Sequence, residues 1–183
     1  MSRELTVAIR RAPTGVMIKE TVALVGIAAA VPFLIHLIPS AGVPWGARLL
    51  PMFYAPLLGV MLYRFHVGLI PALLAPALNV LLTGSPALSL VTILTVELVL
   101  FTAVVFLMLK SWPRLWLAGP FAYVMAKAGS GVMIATLPWF TSFRPASGFA
   151  LASVETAIPG LLILTALTVL MLRIRSDQTG HES

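Results

Sequence analysis

The chain has no cysteine, a single aspartate (Asp177, in the C-terminal tail) and only six acidic residues among its 183 positions. The first absence excludes disulfides, thiolate metal sites and cysteine nucleophiles, and leaves the redox compartment unread. A lone aspartate excludes the paired-aspartate magnesium sites of membrane prenyltransferases. Nor is there a Walker-type phosphate loop, an HExxH helix or a GxSxG elbow. No catalytic set, cofactor or metal site is therefore expected, and any uphill transport would need an external source of energy. His36, a single histidine without a second nearby, gives no metal site.

Charge of either sign is also scarce. Only 10% of the residues are charged, against 60% hydrophobic, and the mean hydropathy is +1.02. The net charge of +6 is spread over the ends of the apolar runs instead of forming one patch, so membrane topology explains it better than nucleic acid. The first apolar run is too long for a signal-peptide core, and we read it as the first membrane helix.

Apolar segments fall at residues 20–38, 48–63, 67–83, 87–110, 115–137 and 148–173, separated by breaks with Pro, Gly, Ser or a basic residue. The expected fold is an all-α integral membrane protein, a bundle of six transmembrane helices. It comprises an interfacial segment over 1–19, a membrane domain over 20–175 and a flexible tail over 176–183. The third segment carries Pro71 and Pro76 and is expected to kink or span only partly, and the second is also short. With an even helix number both termini share a side. Arg3, Arg10, Arg11, Lys19, Arg64, Lys110, Arg114, Arg173 and Arg175 fall there, against Arg48 and Arg144 opposite, so both termini are expected in the cytoplasm of a bacterial or archaeal cell. Trp112 and Trp116 then mark the inner interface, Trp45 and Trp139 the outer one.

Against this background Glu97, Lys127 and Glu155 stand out, because a charge at membrane depth costs about 2.5–3.5 kcal/mol on insertion scales. At a rise of about 1.5 Å per residue, all three fall between the midplane and the outer surface. Antiparallel neighbours would bring two carboxylates around one ammonium, with Asn79 as a neutral partner. Tyr123, Lys127 and Ser130 share one helical face. Pro159 cannot donate to the carbonyl of Glu155, which would leave a carboxylate and a freed carbonyl at one depth. Two readings stand: a substrate site in the outer half of the bundle, or a structural ion pair beside a bent helix.

Outer loops add Trp45, Arg48, Phe53 and Tyr54 on one side, with Trp139, Phe140, Phe143 and Arg144 on another. Aromatics with arginine suit a small molecule bearing a flat ring and an acidic group, although Trp45 and Trp139 fit an interfacial belt better. Small residues recur four apart at Ala118, Ala122, Ala126 and Ser130, and again at Gly26 and Ala30. Either stripe permits close helix approach, within the chain or with a partner.

In organisation the chain resembles the substrate-binding S component of energy-coupling factor (ECF) vitamin transporters. The likeness rests on six helices in about 180 residues, an alanine-rich first helix (ALVGIAAAVPFLIHLIP), a Pro- and Gly-rich middle (PLLGVMLYRFHVGLIPALLAPALNVLLTG) and a last helix with an early Pro-Gly (ETAIPGLLILTALTVL). The resemblance implies a small water-soluble vitamin as ligand, held in the outer half where Asn79, Glu97, Lys127 and Glu155 fall. It also implies a transmembrane coupling subunit and two cytoplasmic ATPases as partners, and lipid around the bundle. Family members dock through AxxxA spacing on helix one, and here Gly26 and Ala30 are the nearest equivalent. A scaffold like the small six-helix rod-shape protein of cell-wall assembly is the alternative. An intramembrane enzyme with Glu97 or Glu155 as base lacks a nucleophile or metal set.

Overall fold

In a computed structural model, residues 14–136 and 146–180 are described, and they are all-helical with no strand among them. Helix α1 (Thr14–His36) buries Leu24, Ala28 and Pro32, one every turn, and leaves Gly26, Ala30 and Leu34 exposed on other faces. A loop leads to the short α2 (Trp45–Leu49), which ends at Leu50 in the left-handed conformation, φ 57° and ψ 41°. Pro51 opens a 3₁₀ turn (Pro51–Phe53), followed by α3 (Tyr54–Leu58) and a π-helical turn (Gly59–Tyr63).

The expected continuous helix over 48–63 is therefore a chain of short pieces. Pro51 lacks an N–H and cannot extend α2, while the π turn lies against α4 (Phe65–Thr83) where two glycines meet. A Cβ on Gly59 would stand 2.5 Å from Gly68 Cα, so only glycine permits this approach.

Helix α4 stays in one piece despite Pro71 and Pro76. Both prolines sit on its buried stripe with Val67, Ala72, Ala75 and Asn79, where neighbouring helices surround them. It ends at Gly84, which takes the left-handed cap conformation (φ 70°) and donates to the Val80 carbonyl at 2.8 Å. Helix α5 (Leu88–Ser111) and helix α6 (Ala118–Thr136) form an antiparallel pair through the turn at Trp112.

The last apolar segment is two helices, α7 (Ala146–Thr156) and α8 (Ile158–Gly180), broken at Ala157 two residues before Pro159. Helix α8 runs five residues past the expected end of the membrane domain. Gly160 seats α8 on α2: a Cβ there would meet the Arg48 carbonyl oxygen at 2.8 Å. In sequence of contact, α1 packs on α4, α4 on α5, α5 on α6, and α6 on both α7 and α8.

Among the described residues, four helices are long and apolar enough to cross a membrane: Ile18–His36, Phe65–Thr83, Leu90–Ser111 and Ile158–Arg175. Helix α6 is as long as α4, with 19 residues, but carries Lys127; the bent stretch Pro51–Tyr63 is apolar and shorter. Large apolar side chains face outward on these helices, Leu81 being 81% exposed and Leu162 67%. A surface of this kind suits lipid and not water, which fits a multi-pass membrane protein.

The small-residue stripe on α6 is internal. Ala118, Ala122, Ala126 and Ser130 are all buried, and Gly119 lies so close to α8 that a Cβ would meet Thr168 Oγ1 at 2.7 Å. On α1, by contrast, a Cβ at Gly26 would meet nothing within 4 Å.

Candidate functional site

Glu97 lies nine residues into α5 and Lys127 nine residues before the end of α6, so antiparallel pairing sets them level. Lys127 Nζ donates to Glu97 Oε2 at 2.6 Å, and Ser130 Oγ donates to Glu97 Oε1 at 2.8 Å. Glu97 is fully buried and Lys127 is 7% exposed. Both carboxylate oxygens are thus occupied, and the charge has a counterion where desolvation would otherwise be costly. Ser130 Oγ also lies 3.0 Å from the Lys127 carbonyl, tying the hydroxyl to its own helix.

One turn from the pair, toward the α5–α6 connection, the site is sealed. Phe101 follows Glu97 by four residues and Tyr123 precedes Lys127 by four, and Phe53 packs edge-on to both rings, at 5.0 and 5.1 Å between centroids. All three rings are buried. The Tyr123 face also lies 5.7 Å from Lys127 Nζ, a cation–π separation. Its hydroxyl reaches the Ser153 carbonyl at 3.4 Å, linking α6 to α7.

On the opposite side of the pair, toward Leu88 and Thr136, a pocket opens. Its lining is Ile93, Val96, Ser130, Met133 and Ile134, with room for about one water. The polar spot is therefore closed by aromatic rings at one end and bordered by a small opening at the other. Asn79 on α4 is buried, five residues before the Gly84 cap, and no described group bonds its Oδ1. Its main-chain carbonyl accepts from Thr83 Oγ1 at 2.8 Å.

Other expected residues stand apart. Glu155 does not join the pair as a second carboxylate: it is exposed, and no described residue bonds it. The cause is azimuth. Ser153 and Ala157 face the neighbouring helices, and Glu155, two residues from each, is turned about 200° away. Arg48 stacks over the Trp45 ring at 5.4 Å, while Trp45 Nε1 donates to the Pro39 carbonyl at 3.2 Å. That pair makes no contact with Glu97. Phe53, expected in an outer loop cap, is core, and Tyr54 donates its hydroxyl to the Leu49 carbonyl. Trp139, Phe140, Phe143 and Arg144 lie outside the described residues.

Sequence reasoning missed the aromatic seal. Its signal was available in the mirrored spacing, Phe101 four after Glu97 and Tyr123 four before Lys127, which antiparallel helices convert into one layer. Among the described residues no three His, Asp or Glu side chains gather as a metal site would require. No family of known proteins matches this chain, and no curated protein or solved structure does either.

Proposed function

We propose that this chain is the membrane-embedded capture subunit of an energy-coupled importer, of the kind represented by ECF S components, for a small water-soluble vitamin or related metabolite. The observation that carries the reading is the polarity of the buried site. Glu97, Lys127 and Ser130 are sealed by Phe53, Phe101 and Tyr123 on the side of the basic α5–α6 turn, and bordered by a pocket on the other. Lys110 and Arg114 flank that turn, which the positive-inside rule assigns to the cytoplasm. With six spans and both termini inside, the pocket faces outward, as a capture site in a plasma membrane requires.

The chain carries no ATP-hydrolysing motif, so a transmembrane coupling subunit and cytoplasmic ATPases would supply the work. Gly26 and Ala30, exposed on α1, offer a surface that a partner helix approaches closely. The pocket is far below the ~300 Å³ of a usual small-molecule site, so capture of a vitamin-sized ligand requires α5 and α6 to part on the outer side.

The small size of the pocket favours a second reading, a non-catalytic six-helix scaffold in which Glu97 and Lys127 serve only each other. Equilibrium dialysis of the purified protein against a mixture of water-soluble vitamins separates the two. Capture predicts retention of one component and at least tenfold weaker retention by Glu97→Gln, since a charge-assisted contact is worth about 1.5–3 kcal/mol. Retention of nothing supports the scaffold.

A further inference from the structure

The buried site is electrically neutral and already satisfied, and this constrains what can enter it. Glu97 has both oxygens engaged, one by the Lys127 ammonium and one by the Ser130 hydroxyl. A molecule arriving through the pocket meets apolar walls at Ile93, Val96, Met133 and Ile134, with Ser130 as the polar group in the lining. The first hydrogen bond it can contest is therefore the one from Ser130 to Glu97. Beyond it lies the ion pair.

Separating Lys127 from Glu97 leaves two opposite charges at membrane depth, each needing replacement. Asn79 Oδ1 adds a buried acceptor that still lacks a donor. It lies four residues from the end of α4, whereas Ile93 lies five residues into α5. The pair thus offers one anion and one cation behind the opening, reached past Ser130.

Resting on the capture reading above, we infer that the ligand of this site is a net-neutral zwitterion, with an anionic group for Lys127 and a cationic N–H donor for Glu97. A simple anion would satisfy Lys127 and strand Glu97; a simple cation would do the reverse. Either leaves one net charge inside the helices, and a hundredfold loss of affinity, about 2.8 kcal/mol, is the scale of that cost. A zwitterion exchanges one neutral pair for two and leaves no net charge. The Phe53–Phe101–Tyr123 layer sets how far such a molecule can descend.

The test uses the full-length protein in detergent, incubated with the small-molecule extract (below about 1 kDa) of the cells that express it. Washed protein is denatured, and the released compounds are identified by mass spectrometry. Retained compounds that carry both an acidic and a basic group support the inference. Wild type retaining only a simple anion or cation overturns it and leaves the capture reading intact, as does a molecule with no ionic group, which would bind beside an unbroken pair. Retention of nothing overturns both. A second arm keeps the assignment tied to these residues. Glu97→Gln makes the site net positive and should shift the retained set toward simple anions by about tenfold or more, and Lys127→Met should shift it toward cations. An unchanged set in both folded variants overturns the inference.

Discussion

Replacing Lys127 by methionine keeps the length of the side chain and removes its charge. Glu97, fully buried, is then left with Ser130 as its remaining hydrogen-bond donor. Breaking a buried pair from one side costs about 3–5 kcal/mol, and the membrane lowers this because the unfolded chain also finds partners in lipid. We take about 3 kcal/mol, which in a chain of this size lowers Tm by roughly 6–12 °C. The double variant Glu97→Gln/Lys127→Met strands no charge, keeps a hydrogen-bonding partner for Ser130, and should lose only about 1 kcal/mol. The double variant should then be about 2 kcal/mol more stable than Lys127→Met alone, and the coupling at least that large once the cost of Glu97→Gln is included. Thermal unfolding of detergent-solubilised protein, followed by circular dichroism, measures all four corners. If the double variant is as unstable as Lys127→Met alone, the pair is not a mutually compensating unit and the electrostatic reasoning fails.

Gly59→Ala should destabilise the fold by roughly 1–3 kcal/mol, because its Cβ would stand 2.5 Å from the Gly68 backbone, and unfolding curves check it. Gly26→Leu and Ala30→Leu on the exposed face of α1 should leave the melting curve within about 0.5 kcal/mol of wild type yet abolish uptake in cells with a coupling module. Normal transport by the double variant would rule that face out as the docking surface. Glu155→Gln should leave retention of small molecules unchanged, since Glu155 is exposed and unbonded by any described residue; a tenfold loss in dialysis would return it to the site. For topology, an impermeant thiol reagent on intact cells should label Ser40→Cys and spare Ser111→Cys, both exposed positions in a chain without native cysteine. The opposite pattern would invert every depth assignment.

Much of the site was legible because helical rise is constant. Counting residues from the segment ends placed Glu97 and Lys127 at one depth, and antiparallel neighbours turned that into a 2.6 Å contact. Ser130 and Tyr123 followed from their spacing to Lys127. Depth does not give azimuth, however, so counting along the chain could not show that Glu155 faces outward. Hydrophobicity likewise does not separate a straight helix from a bent one. Pro51 marked the break in 48–63, but a left-handed Leu50 has no sequence signature. That break drops Phe53 into the core instead of leaving it in a loop. Pro71 and Pro76 leave α4 unbroken, and the packed neighbours that tolerate them there are invisible in a linear pattern.

One-sided access to the buried pair is tested most directly by single cysteines on either side of it. Met133→Cys lies in the pocket, while Thr102→Cys is fully buried on the side of the aromatic layer. In intact cells a small impermeant thiol reagent should label Met133→Cys, more slowly once substrate is bound, and leave Thr102→Cys unmodified. Labelling of Met133→Cys in inside-out vesicles but not in intact cells would contradict capture from the outer face.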